Sequence, residues 1–220
     1  MKLSLRLQTL CGEIRACKIF ADVGCDHGYC AEYVLRQGLC ERCYISDISA
    51  ASLAKAEKLL SAYIEAGTVK SFCCAGLELV PKDAEQVLIG GMGGEEIIGI
   101  LKDGFFPERL VLQPMKNSSK LREYLLGNGY AITRDYMFSD GKFYDVICAQ
   151  RGGVARKYDE RTLLFGYDNL YSPTQDFIMF LRAEIGKCCD RLRSAGKDIP
   201  AVKSRWTLLT EVLHEAERNL

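Results

Sequence analysis

The sequence of 220 residues predicts an α/β fold, in which helices cover a mostly parallel seven-stranded sheet and a smaller helical domain follows. Three observations lead to this prediction. Short apolar runs alternate with helical patterns, the last two strands have the pattern of a hairpin, and the chain beyond Gly152-Gly153 shows only helical periodicity. We therefore expect two domains, residues 1–152 and residues 153–220.

The strand and helix patterns of the first domain follow an N-terminal amphipathic helix. Strands are predicted at residues 18–23, 43–48, 69–74, 86–89 and 109–113. The clearest helices between them are 29–37 and 49–66, each with apolar residues on one face. Two further strands, 130–138 and 142–150, are joined by Ser139-Asp140-Gly141, which favours a hairpin over a crossover helix.

The stretch from Lys18 to Tyr29, KIFADVGCDHGY, carries the strongest functional signal. Its apolar strand contains Asp22, a carboxylate that needs partners because burying it unpaired is energetically costly. Gly24 and Gly28 allow tight turns and a close approach of the backbone to a ligand. A helix follows, so strand, loop and helix N-terminus converge on one site. A structural strand–turn–helix with an incidental aspartate is the alternative.

The glycine spacing separates two classes of cofactor. A nicotinamide site normally shows G-x-G-x-x-G, whereas here three residues separate Gly24 from Gly28 and Asp26 stands at the middle glycine position. A carboxylate there repels a pyrophosphate. S-adenosylmethionine has no phosphate and carries a sulfonium and an ammonium, so acidic residues suit it. Dehydrogenase domains usually have six parallel strands, so the closing hairpin also favours a Rossmann-like class I methyltransferase.

Two other strand ends are predicted to face the same cleft. Asp47 ends the second strand about twenty residues after Gly24, where an acidic side chain accepts hydrogen bonds from ribose hydroxyls. A helix N-cap is its alternative role, which Ser49 can also fill. The fourth strand opens onto residues 90–94, GGMGG, which suit a floor where backbone lies against a planar ligand. No Gly-Lys-Ser/Thr follows, which excludes a phosphate-binding P-loop.

Composition narrows the class of protein further. The formal net charge is zero and the apolar fraction is 48%, which gives no global basic field and enough apolar residues for a sizeable core. No signal peptide or membrane span is recognisable, so we expect a soluble cytoplasmic protein with no membrane, DNA or obligate protein partner. The eleven cysteines are odd in number and include adjacent pairs, which argues against a disulfide framework. Cys40-x-x-Cys43 lacks a second pair, so no metal is expected.

The C-terminal domain is predicted to be a helical hairpin or a short antiparallel coiled coil. Segments 171–189 and 202–218 carry apolar residues at helical spacing. Between residues 182 and 205, seven basic residues exceed three acidic ones, a local excess that can hold RNA phosphates. A solvated coiled-coil face is the alternative. The residues expected to contact RNA are Arg182, Arg191, Arg193 and Lys197.

With these motifs in view, the chain resembles the bacterial tRNA (adenine(22)-N1)-methyltransferase family, TrmK. The resemblance covers nearly the whole chain and rests on LSLRLQTL, ADVGCDHGY, GGMGG, RLVLQP, LREYLLGNGYAI, DGKFYDV and the helical tail. It implies S-adenosylmethionine as the methyl donor and tRNA as the acceptor, with the helical tail helping to grip the tRNA.

The resemblance also implies roles for individual residues. The cofactor-binding residues that it implies are Asp22, Gly24, His27, Gly28, Asp47, Ile48, Gly76, Leu77, Gly90 and Gly91. Asp26 and Met92 are the candidate catalytic residues, and Asp26 and Tyr29 are expected to contact the acceptor. Family members read GDGL where this chain has CAGL, so Ala75 replaces an aspartate that would accept a hydrogen bond from the cofactor's adenine amine. Losing that bond costs on the order of 1 kcal/mol.

The mechanism that follows is direct transfer. Adenine N1 is a lone-pair nucleophile, so the main requirement is to align it with the sulfonium methyl group, and the base is expected to flip out of its stack. Asp26 is expected to stabilise the developing cationic base. Two alternatives stay open: a methyltransferase with another RNA, small-molecule or protein acceptor, and a non-catalytic RNA-binding module. An NAD-dependent oxidoreductase would need the missing glycine motif.

Overall fold

The computed structural model describes residues 3–195 and 199–220. From the N-terminus to the fourth strand, the elements are α1 (Leu5–Gly12), β1 (Cys17–Val23), α2 (Tyr29–Arg36), β2 (Cys40–Asp47), α3 (Ala50–Leu59), α4 (Ser61–Glu65), β3 (Val69–Cys73) and β4 (Gln86–Met92). The remaining elements are α5 (Gly94–Asp103), β5 (Arg109–Pro114), α6 (Ser118–Gly127), β6 (Tyr130–Ser139), β7 (Phe143–Arg151), α7 (Glu160–Phe165), α8 (Tyr167–Tyr171), α9 (Gln175–Ala195) and α10 (Pro200–Asn219).

The strands form a seven-stranded sheet in the order β3-β2-β1-β4-β5-β7-β6. Strands β1 to β5 pair in parallel, and β7 runs antiparallel to β5. The sheet therefore confirms the predicted Rossmann-like architecture with its closing hairpin. The direction of winding reverses between β1 and β4, and ligands of such sheets bind at the carboxyl ends of the strands beside this point.

Two local predictions were wrong. The helix expected over residues 49–66 is divided into α3 and α4 at Leu60, where the N–H of Tyr63 bonds to the Leu60 carbonyl in a tighter turn. The GGMGG segment is not a loop, because β4 extends to Met92 and α5 begins at Gly94. Strand β4 thus ends three residues later than the predicted residue 89, and its glycines lie in the strand end itself.

The chain divides into two compact units, each with its own core. The first unit extends to Arg134 and includes Asp145–Lys157, and the second consists of Asp135–Tyr144 and Tyr158–Leu220. The end of the hairpin thus groups with the helices, because Met137 belongs to the same buried cluster as the apolar faces of α9 and α10. The domains 1–152 and 153–220, as functional divisions, stay a prediction.

Within the second unit, side chains of α8 and α9 bond to the backbone of residues 135–139 of β6. Three alternate N–H groups of β6 donate to carboxylate or amide oxygens. The pairs are Asp135 N with Asp168 Oδ2 at 2.8 Å, Met137 N with Asn169 Oδ1 at 3.0 Å, and Ser139 N with Asp176 Oδ2 at 3.1 Å. Asn169 is 1% exposed and also donates from Nδ2 to the Phe165 carbonyl at 2.7 Å.

The described residues lack two kinds of feature. Among them, no helix combines the length and the apolar composition that crossing a membrane requires. Within the same ranges, no group of three or more histidine, cysteine, aspartate or glutamate residues has a geometry that could hold a metal ion. All eleven cysteines are free thiols.

Replacing Asn169 by alanine tests the link between α8 and β6. The variant leaves a buried N–H and a buried carbonyl unpaired, so the free energy of unfolding should fall by about 2–4 kcal/mol in urea titrations followed by circular dichroism. Asn128→Ala is the matched control: the exposed side chain of Asn128 donates from Nδ2 to the Tyr124 carbonyl, and its removal should cost less than about 1 kcal/mol. Equal losses in the two variants would contradict this account.

Candidate active site

Two cavities adjoin at the carboxyl ends of β1, β2 and β4. The larger has a volume of about 420 Å³ and is lined by Arg6, Gly24, Asp26, Asp47, Ile48, Ala75, Gly76, Gly90, Gly91, Met92, Glu96 and Ile100. The smaller has a volume of about 80 Å³ and is lined by Arg6, Leu7, Leu10, Asp22, Gly24, Cys25, Asp26, His27, Tyr29, Cys30, Leu88 and Gly90. Four shared residues, Arg6, Gly24, Asp26 and Gly90, join them into one cleft.

The loop after β1 packs against the Met92 side chain at the end of β4, and its backbone conformation favours glycine at position 24. Gly24 has a φ of +69°, and a Cβ placed on it would lie 2.2 Å from Cε of Met92. Asp26 also has a positive φ, +46°, which is uncommon for a residue with a side chain. The loop backbone therefore faces the cleft without a side chain at Gly24, while Asp26 projects from a strained position.

Asp22 is buried at the inner end of the smaller cavity. It is 4% exposed, and its Oδ2 accepts a hydrogen bond from the N–H of Ala31, in the first turn of α2, at 3.2 Å. Burial raises the pKa of Asp22 from its usual 3.8 to about 7, although the bond from Ala31 acts in the opposite direction. A cation bound beside this carboxyl would favour the ionised form and lower the pKa again.

Asp47 holds the first loop in place. Its Oδ2 accepts from the N–H of Asp26 at 3.0 Å, and its Oδ1 accepts from the N–H of Ser49 at 2.8 Å. Ser49, not Asp47, is the N-cap of α3, because its hydroxyl accepts from the N–H of Ser52 at 3.2 Å. The carboxylate of Asp47 thus lines the larger cavity and fixes the position of Asp26 at the same time.

The far end of the larger cavity is formed by residues that follow β2 and β3. The side chain of Ile48 is 76% exposed there, and Ala75 and Gly76 lie opposite the helix residue Ile100. Gly76 has a φ of +58°, and a Cβ on it would lie 2.6 Å from Ile100. Its carbonyl accepts from the hydroxyl of Ser46 at 2.8 Å, which fixes this turn to the end of β2.

Two predicted cofactor residues lie outside the described cleft. Leu77 is 2% exposed and packs in the core, where it lies within 2.5 Å of a Cβ built on Gly104. A Cβ on Gly28 would lie 2.9 Å from Cβ of Ala56, so this glycine permits close packing of α2 on α3. Both residues support the cleft from behind and are not among its lining residues.

His27 and Tyr29 form an aromatic pair beside Asp26. Their ring centroids are 5.3 Å apart with a tilt of 30°, and both residues line the smaller cavity. His27 Nδ1 lies 3.3 Å from Asp26 Oδ2, and both side chains have solvent access. The pair therefore lies at the exposed end of the same cavity that ends inside at Asp22.

The predicted RNA-contacting residues of the helical tail belong to the second unit. Arg182 pairs with Glu217 at 2.7 Å, and Arg193 pairs with Asp190 at 3.5 Å. Arg191 lines a groove of about 420 Å³ between α9 and α10. Other residues of this groove include Lys187, Cys188, Ile199, Arg205 and Glu184. Lys197 lies outside the described residues.

Sequence reasoning missed the contribution of α1 to the cleft. Arg6 lines both cavities, and Cδ1 of Leu10 lies 3.2 Å from a Cβ built on Gly90. Glu96 was missed as well: its Oε2 accepts from the N–H of Gly93 at 3.2 Å. The one signal in the sequence was that Arg6 stands four residues before Leu10, which places it beside the apolar face of the helix.

Comparison with known proteins gives a consistent result. The profile of a methyltransferase domain family matches residues 3–147. The tRNA (adenine(22)-N(1))-methyltransferase of Bacillus subtilis is 31% identical over 176 residues, which are 76% of this chain and 72% of that protein.

Solved structures share the fold over nearly the whole chain. The Streptococcus pneumoniae protein Sp1610, in complex with S-adenosyl-L-methionine, has a TM-score of 0.86 at 23% identity, covering 97% of this chain and 100% of that one. The B. subtilis m1A22 tRNA methyltransferase TrmK has a TM-score of 0.78 at 24% identity, covering 99% and 98%. From the domain match and the identity to the B. subtilis enzyme, the chain belongs to the tRNA (adenine(22)-N1)-methyltransferase family of methyltransferases.

Proposed function

We propose that this protein transfers the methyl group of S-adenosylmethionine to N1 of adenine 22 in tRNA, and that it does so in the cytoplasm. The observation that supports this most strongly is the cleft at the switch point of the sheet. The cleft is lined by backbone at Gly24 and Gly90 and by the carboxylates of Asp22, Asp26 and Asp47. The family to which the chain belongs supports the same function. Sites of this kind bind ligands in many α/β proteins, so the chemistry of the lining residues decides the class of ligand.

The residues of the cleft fit S-adenosylmethionine. The larger cavity has the size of a small-molecule site, and the side chain of Asp47 offers carboxylate oxygens to ribose hydroxyls. Ile48 and Gly76 offer apolar and backbone surfaces for an adenine ring. Asp22, at the inner end of the smaller cavity, suits a ligand ammonium, because an ionised carboxylate in a buried site is stabilised by a nearby cation.

The residues of this chain position an acceptor base whose N1 is already a lone-pair nucleophile. When bound, the cofactor supplies an electrophilic methyl group on a sulfonium. Asp26, fixed by Asp47, presents a carboxylate to a base that becomes cationic as its N1 is methylated. Tyr29 and His27 offer ring surfaces on which a flipped adenine can stack. Met92 gives the cleft a soft apolar wall beside Gly24, and water is excluded where the two contact.

The helical unit supplies the cationic surface for the tRNA body. Arg191, Lys187 and Arg205 surround one groove, and their charges are partly offset by Glu184, which bonds to Lys187 and Arg205. Phosphate contacts of this kind are independent of sequence and weaken with salt. Selection of adenine 22 therefore depends on the shape of the tRNA and on the cleft, and the basic groove contributes affinity.

The direct test is methyl transfer from labelled S-adenosylmethionine to unmodified tRNA, with the product nucleoside identified by mass spectrometry. The expected product is N1-methyladenosine, and it should be absent when adenine 22 of the tRNA is replaced. Transfer to a different position, or no transfer by a protein that binds the cofactor, would refute the proposed acceptor.

Replacing Asp26 by asparagine should lower turnover and leave cofactor affinity nearly unchanged. Asparagine tolerates the positive φ of this position, so the variant removes the charge and keeps the loop. We expect kcat to fall about 10- to 100-fold, because a preorganised charge at a developing cation is lost. Asp103→Asn, at the exposed end of α5, is the control. If the Kd for S-adenosylmethionine rises as much as kcat falls, Asp26 serves the cofactor instead.

Replacing Ala75 by aspartate should tighten cofactor binding. Ala75 is exposed to the larger cavity, so the new carboxylate has room to accept a hydrogen bond from an adenine amine. A net bond of about 1 kcal/mol lowers the Kd about fivefold in calorimetric titrations. Ala75→Leu adds bulk without an acceptor and should not tighten binding. An unchanged or higher Kd in the aspartate variant would show that the adenine does not lie beside residue 75.

A further inference from the structure

Arg6 connects the N-terminal helix to the floor of the cleft. The side chain lines both cavities, and its Nη1 donates to Oε1 of Gln113 at 3.0 Å. The same oxygen accepts from the N–H of Gly91 at 3.1 Å. A Cβ placed on Gly91 would lie 3.2 Å from Nη1 of Arg6, so the guanidinium packs directly over this glycine.

Gln113 gives this guanidinium a fixed position. The side chain of Gln113 is fully buried at the end of β5, and its Nε2 donates to the carbonyl of Pro114 at 3.2 Å. With the amide nitrogen used in this way, Oε1 faces Gly91 and Arg6. A fixed planar guanidinium is suited to binding a carboxylate or a phosphate through paired hydrogen bonds.

The charged residues that line the cleft indicate which group of the cofactor Arg6 can bind. Asp22, Asp26, Asp47 and Glu96 line it, and they suit the sulfonium and ammonium of the cofactor. The amino-acid end of S-adenosylmethionine also carries a carboxylate, which these four acids would repel. In the described part of the chain, Arg6 is the one lysine or arginine among the residues that line either cavity.

We propose that Arg6 binds the carboxylate of S-adenosylmethionine and thereby orients its amino-acid end between Asp22 and Gly90. This inference rests on the proposed use of that cofactor. A phosphate of tRNA is the other anion that an arginine can bind. The position of Arg6 favours the cofactor, because the side chain is half-buried, lies over Gly91 and reaches both cavities.

The hydrogen bonds of Gln113 connect carboxylate binding at Arg6 to the end of β4. Because Gln113 accepts from both Arg6 and Gly91, the guanidinium and the end of β4 are held by the same amide oxygen. Binding of a carboxylate to Arg6 therefore steadies the strand end that forms the floor of the cleft. Arg6 is a cofactor-binding residue, and Gln113 is a positioning residue that acts through it.

The test compares two cofactors in calorimetric titrations of the full chain. S-adenosylmethionine and its decarboxylated analogue share the adenosine, the sulfonium and the amine, and differ in the carboxylate. For S-adenosylmethionine, Arg6→Gln should raise the Kd about 10- to 100-fold, because a charge-assisted interaction is lost. For the decarboxylated analogue, the same variant should leave the Kd within about twofold of the unmutated protein. Arg6→Lys should give an intermediate Kd for S-adenosylmethionine, since lysine keeps the charge and loses the planar geometry.

Arg36→Gln is the matched control, because Arg36 is an exposed arginine of α2 that pairs with Glu32. It should bind both cofactors as the unmutated protein does. If Arg6→Gln does not fold, Gln113→Met provides the second variant, and it should weaken binding of S-adenosylmethionine more than binding of the analogue.

Three results would overturn the inference. Equal losses for both cofactors in Arg6→Gln would show a structural role. An unchanged Kd for S-adenosylmethionine with a raised KM for tRNA would assign Arg6 to the nucleic acid. Failure of the unmutated protein to bind S-adenosylmethionine would refute the proposed function itself, and the inference with it.

Discussion

The contact between Gly24 and Met92 is the constraint on which the cleft depends. A Cβ on Gly24 would lie 2.2 Å from Cε at the flexible end of the Met92 side chain, and the φ of +69° at Gly24 favours glycine in any case. The ends of β1 and β4 can therefore approach until loop backbone and methionine side chain touch, and the cleft opens on both sides of this contact. A larger residue at position 24 would displace the tip of the Met92 side chain and would strain the loop backbone, which has a φ of +69° there. The geometry of the site is set by an absent side chain as much as by those that are present.

A second dependence runs from β2 through Asp47. Its two carboxylate oxygens receive N–H groups from Asp26 and from Ser49, so the loop after β1 and the helix after β2 share one anchor. The positive φ of Asp26 is maintained by this bond, since strained backbone persists where its surroundings hold it in place. A ribose bound to Asp47 would therefore act on the same carboxylate that positions the residue nearest the acceptor. In the proposed function, this one side chain would couple cofactor binding to acceptor positioning.

Much of this arrangement could be predicted from the sequence, because its signals are local. Apolar runs ending in glycine located β1 and β4, and the distance from Gly24 to Asp47 located the end of β2. What could not be predicted depends on contacts between distant residues. Arg6 and Gln113 are 107 positions apart. Nothing in the N-terminal pattern indicates that Arg6 will bond to the side-chain amide of Gln113 at the end of β5. For the same reason, the sequence did not show that Gly28 and Leu77 pack outside the cavity lining, since a motif position does not show whether a residue faces the cavity or the core.

The hydrogen bonds along β6 affect how the helical unit can be studied. Without these bonds, the N–H groups of Asp135, Met137 and Ser139 would be unpaired donors on an edge strand. Unpaired edge strands tend to pair with strands of other molecules. Asp168, Asn169 and Asp176 close them. A shortened chain that ends after the hairpin would lose these acceptors and leave unpaired N–H groups on an edge strand that is prone to aggregation. Its loss of activity would then mix aggregation with weaker tRNA binding, so charge-neutralising substitutions on α9 and α10 separate the two roles better than truncation does.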